Sequence, residues 1–422
     1  MHIASKHALL LLALGAGSPL LAQKLCDVRQ FGAKGDGISK DTAAIQAAID
    51  SCAKSGGGTV RLAGAVFVSA PLDLKSNIEL SIAPGTTLAA STDHADFVPM
   101  REFNDDGRKP LINADHVENV VIDGGGTIDG RGESWWADRS PGSLRPRLVV
   151  FRYSQHIRME NITVQNSPMW QIVPYYSDDL TFRNMKVLAP EGLSHNTDGI
   201  DPFSSSHVTI DHVLIDTGDD NIAIKSGQPG SAGPDAPSHD IVIRDCEFRH
   251  GHGLSIGSEI AGGVQNVLVE RVHFKGTGSG VRIKSNRDRG NDIGNFVYRD
   301  LTMEDVATPI LITEFYPKIP TQIDAAPVTR LTPRFHDITI ENLQASGARD
   351  AAVIVGLPES PILNLKLDHI DIHAKHGAQL QYVNVQAHNF SVQAAQGQPI
   401  IMGSGVRGEL RNQYAFTHKG HR

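Results

Sequence analysis

Hydrophobic and polar positions alternate in short runs along most of this chain, and a helical period shows convincingly in one place. Behind Phe31-Gly32-Ala33-Lys34-Gly35-Asp36-Gly37, residues Ile45, Ala48, Ile49 and Cys52 recur on one helical face, Asp41 stands as a candidate N-cap, and Gly56-Gly57-Gly58 ends the pattern. Beyond that helix the runs are rich in Val, Ile and Leu and are punctuated by Asn, Asp, Gly and Ser, which predicts strands.

The strand runs repeat. His156-Ile-Arg-Met-Glu-Asn-Ile-Thr-Val164 is followed by similar runs starting at Asp179, His207 and Asp240, and later copies begin near Asn266, Asn295, His336 and Asn364. Starts lie roughly 23–33 residues apart, with one interval of about 41, near the range of solenoid repeats. Each copy holds more than one short strand and almost no helix, so an all-β single-stranded solenoid, a parallel β-helix, is expected rather than a leucine-rich or ankyrin array. Stacked coils bury a continuous column of Val, Ile and Leu, and the lone helix then serves as an N-terminal cap over the first coil edge. Inserts at 131–146, 227–238 and 317–332, rich in Gly, Pro and polar residues, are expected to rise from coil corners and wall a cleft.

Composition changes this picture at the ends and in the choice of partner. The weakly basic start with His2 and Lys6, the apolar Ala8 to Leu14 and the small residues before Gln23 read as a signal peptide at 1–22, leaving 23–422 as the β-helix with its cap at about 23–58. The apolar run is too short to span a bilayer, so a secreted or periplasmic protein is expected, with no membrane partner. A formal charge of −8 argues against nucleic acid and provides no long-range pull on a polyanion, so an acidic ligand needs a local basic patch. Among three cysteines, Cys26 and Cys52 can pair in an oxidising compartment, whereas Cys246 reads as a small buried thiol.

Four clusters follow in order at close to one repeat each: Asn196-Thr197-Asp198, Gly218-Asp219-Asp220, Gly251-His252-Gly253 and Arg282-Ile283-Lys284. Alone, an Asn-Thr-Asp-Gly run is a turn, an Asp pair is a loop end and an Arg-x-Lys pair is a solvated salt-bridge row. On neighbouring coils they become one patch. Glycosidic cleavage needs one protonated carboxyl and one ionised carboxylate, and crowding of Asp198, Asp219 and Asp220 is expected to push one of them to hold its proton. His252 is placed to hydrogen-bond that group, while Gly251 and Gly253 are expected to leave room for a sugar. Arg282 and Lys284 share a strand face, suiting a carboxylate-bearing sugar. Trp135-Trp136 offers a sugar-stacking platform or, more commonly for such a pair, a loop anchor, and Asn161 and Asn184, equivalent in two repeats, read as a ladder of stacked amides.

With these motifs in view, the chain resembles the polygalacturonase family of glycoside hydrolases, family 28, over nearly all of its mature length. The resemblance rests on Asn196-Thr197-Asp198-Gly199-Ile200-Asp201, on Gly218-Asp219-Asp220-Asn221 through Lys225-Ser226-Gly227, on Gly251-His252-Gly253 through Gly257-Ser258, and on Arg282-Ile283-Lys284. It implies a right-handed parallel β-helix and inverting hydrolysis of α-1,4-galacturonosyl linkages. It further implies Asp219 as general acid, Asp198 and Asp220 as activators of water with His252 beside them, and substrate contacts from Asn196, Lys225, Arg282, Lys284 and Tyr316. Gly218, Asn221 and Lys225, where many fungal members carry Gln, Cys and Asn, and Glu259 after Gly257-Ser258, look like the bacterial and plant-like branch, which includes internal and chain-end cutters and enzymes of modified backbones such as rhamnogalacturonan. No metal or cofactor is called for, the expected partner is an acidic polysaccharide of the pectin type, and a monomer is expected. The rivals are a calcium-dependent pectate lyase, in which the carboxylates hold the cation, and a non-catalytic glycan-binding solenoid.

Overall fold

The computed structural model describes residues 24–102, 105–138, 140, 143–230, 235–411 and 414–417. The expected signal peptide at 1–22 lies outside the described residues. The coils stack as a right-handed parallel β-helix: strand pairs along it are parallel from Leu25–Asp27 to Tyr414–Thr417, with local register shifts in a few pairings, and among the described residues one antiparallel hairpin, Pro99–Glu102 against Asp105–Arg108, is added at the side.

Register explains the core. Met159 pairs with Phe182, Phe182 with Ile210, Ile210 with Ile243, and Ile243 with Val269, all of them buried. Because side chains alternate across a strand, the polar residues between them are turned outward at every step. Each such aliphatic or aromatic side chain contributes about 1.5–3 kcal/mol on burial, which rewards stacking that an isolated coil cannot achieve.

The predicted helix is Thr42–Lys54, and it buries Ile45, Ala48, Ile49 and Cys52 against the first coil. Asp41 occupies the N-cap position, but its carboxylate does not cap the helix: it accepts hydrogen bonds from the amides of Lys34 (2.7 Å) and Gly35 (3.0 Å), closing the entry loop instead. Cys26 and Cys52 form a disulfide that ties the first strand to this helix. Cys246 is a free buried thiol whose pKa burial pushes up to about 12.

Two expectations are corrected. Asn161 and Asn184 adopt φ of +52° and +51°, and the positions paired to them on later coils, His212, Asp245, Arg271 and Asp300, adopt +54°, +53°, +52° and +56°. What repeats is a left-handed backbone corner, tolerated best by Asn and Asp, and not a column of amides. The insert at 131–146 is not wholly irregular either. It holds a helical turn, Glu133–Trp136, whose tryptophans are both buried, with Trp135 stacked on His94 and Trp136 Nε1 donating to the Ser167 carbonyl at 3.1 Å. The pair anchors the insert, as expected.

Candidate active site

The candidate groups meet on the outer face of one sheet. Its rows are Val149–Arg152, Ile172–Tyr175, residues 200–203, Ile222–Ser226, Leu254–Ile260 and Ser279–Lys284. Ile200, Ile222, Ile224, Ile256 and Ile283 point into the core and are fully buried. The alternate positions, Asp201, Lys225, Ser255, Arg282 and Lys284, therefore face outward. Asp198, Asp219 and Asp220 sit at the entry to two of these rows, in turns whose backbones bond to each other: the amide of Gly199 donates to the Asp220 carbonyl at 2.9 Å and that of His252 to the Asp219 carbonyl at 2.9 Å.

Adjacent in sequence, Asp219 and Asp220 live in different surroundings. Asp220 is buried, and its carboxylate is held by Arg282 Nη1 (2.6 Å), Lys284 Nζ (2.7 Å) and Ser255 Oγ (2.8 Å). Burial opposes its charge, but the Lys284 and Arg282 cations outweigh this and hold its pKa far below the ordinary carboxylate range. Asp219 is the more open of the two, with 20% of its side chain exposed. It accepts from His252 Nδ1 (3.0 Å), from the Asp220 amide (2.8 Å) and, at 3.4 Å, from Asn196 Nδ2. Burial again opposes its charge, and the His252 contact together with the Asp220 amide more than offsets it, so Asp219 too lies below its usual range.

Of the three crowded aspartates, Asp198 is the one whose pKa is raised, and Asp201 in the same run is raised with it. Asp198 and Asp201 are both buried, neither Asp201 oxygen nor Asp198 Oδ1 meets a protein donor, and burial followed by the charges of neighbouring aspartates raises both, Asp201 to about 7. Asp201 belongs to the same Asn-Thr-Asp-Gly-Ile-Asp run, and its outward orientation follows from sitting beside inward Ile200. An acid whose pKa rises on folding stabilises the fold fully below its ordinary value of 3.8 and loses that contribution as pH rises through its folded value. Resistance to urea should therefore decline between about pH 4 and pH 7, and Asp201→Asn should flatten the decline. An unchanged slope in urea midpoints of the variant would refute this account.

Lys225, expected among the sugar contacts, is buried instead. Its Nζ lies 3.4 Å from Glu259, 3.9 Å from Asp198 and 3.9 Å from Asp201, and 4.7 Å above the Trp170 ring. It lies among these carboxylates and balances their charge. Glu259, whose place in the sequence suggested no role, is its partner, carried there by a register shift after Ile224. Burial opposes the Glu259 charge, yet Lys225 holds it down to about 2. Arg282 and Lys284 flank Tyr316, whose ring centroid is 5.9 Å and 5.0 Å from their charged ends. Gly251 and Gly253 differ from expectation. With φ of +65° and +89°, a Cβ at each would strike the carbonyl of Asp219 or Ser279, so these glycines permit coil-to-coil approach and do not clear space for a sugar.

Sequence reasoning passed over Trp170, Ser255 and Arg145. Ser255 was legible from its place in the alternation, but Arg145 ends an insert, and nothing in its neighbours signals where it lands.

Comparison with known proteins yields a match of residues 59–392 to the model described as glycosyl hydrolases family 28. An endo-polygalacturonase of Pectobacterium carotovorum subsp. carotovorum is 36% identical over 303 residues, covering 66% of this chain and 73% of the relative. One from Pectobacterium parmentieri is 32% identical over 371 residues, covering 82% and 88%. Among solved structures, a hyperthermoactive exopolygalacturonase from Thermotoga maritima superposes with a TM-score of 0.79 at 27% identity, covering 92% of this chain and 93% of that one.

Proposed function

Since this chain belongs to glycosyl hydrolases family 28 and is a glycoside hydrolase, we propose that it cleaves α-1,4-galacturonosyl linkages of polygalacturonate, with inversion, using Asp219 as the acid and Asp198 and Asp220 as the groups that activate water. The observation that carries the reading is the convergence of three aspartates with His252, Arg282 and Lys284 on one outer face, Asp219 alone among the three being partly exposed and Asp220 clamped as an anion.

In this reading the proton of Asp219 passes to the leaving oxygen as the glycosidic bond breaks, and the proton of the attacking water passes to the ionised form of Asp198, whose raised pKa makes that carboxylate the stronger base. Asp219 is ionised in the free protein. A bound galacturonate chain excludes water from its open edge and brings further negative charge, both of which raise its pKa, so Asp219 takes up the catalytic proton from solvent as substrate binds. His252 and Asn196 hold its carboxyl in position. Arg282 and Lys284 present cationic surface to a sugar carboxylate, with Tyr316 beside them. Lys225 acts from beneath, keeping the Asp198 and Asp201 carboxyls together.

One feature weighs against a calcium-dependent lyase. One ligand atom each of Asp219, Asp220 and His252 lie within 4.8 Å of one another, but both oxygens of Asp220 already carry a cation, which a divalent ion would have to displace. Export directed by residues 1–22, and action as a monomer on pectin outside the cell, belong to the same proposal; no helix among the described residues is long and apolar enough to cross a membrane. Digestion of polygalacturonate should release reducing ends with no ultraviolet-absorbing unsaturated product and no effect of chelator. Unsaturated ends lost on chelation would establish the lyase instead, and binding without cleavage the glycan-binding solenoid.

A further inference from the structure

Most cations of the site are already spent on protein carboxylates. Arg282 and Lys284 are bound to Asp220, and Lys225 lies among Asp198, Asp201 and Glu259. Arg145, at the end of the insert that the buried tryptophans anchor, is different. Its guanidinium is half-buried, and its hydrogen bonds all go to neutral oxygens: Nη1 donates to the carbonyls of Pro168 (2.8 Å) and His195 (2.8 Å), and Nη2 to Asn196 Oδ1 (2.8 Å). Among the described residues no carboxylate stands within ion-pair distance of it, although Asp198 and Asp219 are near enough to act on it electrostatically. Burial lowers its pKa, as expected of a cation that lacks a close counter-charge.

The place of Arg145 gives this vacancy a use. Asn196 receives a bond from Arg145 and donates its own Nδ2 to Asp219, so the guanidinium stands one side chain away from the proposed acid. It approaches from the rows of Pro168 and Asn196, whereas the Arg282 and Lys284 row lies three strands further along the axis, roughly 14 Å between backbones. Polygalacturonate carries a carboxylate on every sugar. A site that cuts between two sugars and binds only one of their carboxylates leaves the other facing a row of aspartates, a like-charge contact that costs affinity.

Resting on the hydrolase reading above, we propose that Arg145 binds a galacturonate carboxylate on the opposite side of the cleavage point from Arg282 and Lys284. The bound carboxylate supplies the missing counter-charge, and the three fixed hydrogen bonds hold the fork in place before substrate arrives.

The test is steady-state hydrolysis of polygalacturonate over a range of sodium chloride concentrations, with wild type, Arg145→Gln and Arg145→Lys. Arg145→Gln should raise KM about tenfold, the equivalent of about 1.4 kcal/mol, with kcat within about threefold. Its KM should also depend less steeply on salt, since one ionic contact is gone. Arg145→Lys keeps the charge and should recover most of the KM and the salt slope. A loop-clamping role predicts otherwise: kcat falls with an unchanged salt slope, and lysine rescues nothing. That result, or a glutamine variant indistinguishable from wild type, overturns the proposal. Should Arg145→Gln not fold, Arg145→Lys decides alone, a wild-type salt slope supporting the assignment and a collapsed kcat at unchanged KM refuting it. An inactive wild type would instead dispose of the hydrolase reading itself, and so the two failures are distinguishable.

Discussion

Asp219→Asn is expected to lower kcat on polygalacturonate about 100- to 10,000-fold, the range that a positioned proton donor contributes, while KM changes by no more than about threefold. The amide is nearly isosteric and still accepts from His252 and from the Asp220 amide, so the turn that presents it should survive. What is lost is a transferable proton beside the leaving oxygen. Because this proton is needed only as the bond breaks, the loss should fall on kcat and leave binding intact. Initial rates of reducing-end release, with thermal melting as a control for folding, measure it. A variant that keeps a tenth of wild-type activity would take Asp219 out of the acid role and shift attention to the raised pair Asp198 and Asp201.

Asp220→Ala should abolish detectable turnover and, unlike the Asp219 change, unfold the protein more easily by about 3–5 kcal/mol. Asp220 is the shared counter-ion of two cations that are themselves largely buried, with 14% of the Arg282 side chain and 6% of the Lys284 side chain exposed. Removing the anion strands both charges in a place that excludes water, and Ser255 loses its acceptor. The price falls on the folded state alone, since the unfolded chain hydrates both cations. Urea unfolding at neutral pH should show the midpoint falling sharply for Asp220→Ala and less for Asp220→Asn, which keeps one oxygen as an acceptor. Equal midpoints for wild type and Asp220→Ala would mean that Arg282 and Lys284 find other partners, and the clamp described above would be wrong.

The contrast between these aspartates shows what could be read without coordinates. The runs beginning at His156, Asp179, His207 and Asp240 announced stacked coils because inward Ile and Val at a period of two can be buried in no simpler way. The same period set Arg282 and Lys284 on one face with Ile283 behind them. Distances along the helix axis followed as well, since each coil advances one strand spacing. The helix near Ile45 was legible from its apolar face, whereas the use of Asp41 was not, because either a helix end or a loop can claim a carboxylate and only the approach of Lys34 and Gly35 decides.

Ionisation was the least legible property. Asp198, Asp219, Asp220 and Asp201 are chemically identical, and their protons are distributed by partners that come from other coils: Arg282 and Lys284 for one, His252 for another, burial and mutual repulsion for the remaining two. Lys225 and Glu259 show the same thing from the other side, as a cation taken for a sugar contact and an acid without apparent purpose prove to be each other's partners. Arg145 depended on the path of an insert, which obeys no repeat.

The sequence by itself determined the solenoid, its cap, the order of the coils and which side chains face outward, because these follow from periodic burial and from the fixed rise of a strand. Only the tertiary structure decided which carboxyl keeps its proton, which cations are already paired and which remains open to a ligand. Charge interactions depend on separation and on the exclusion of water, and both are set where loops from different coils converge.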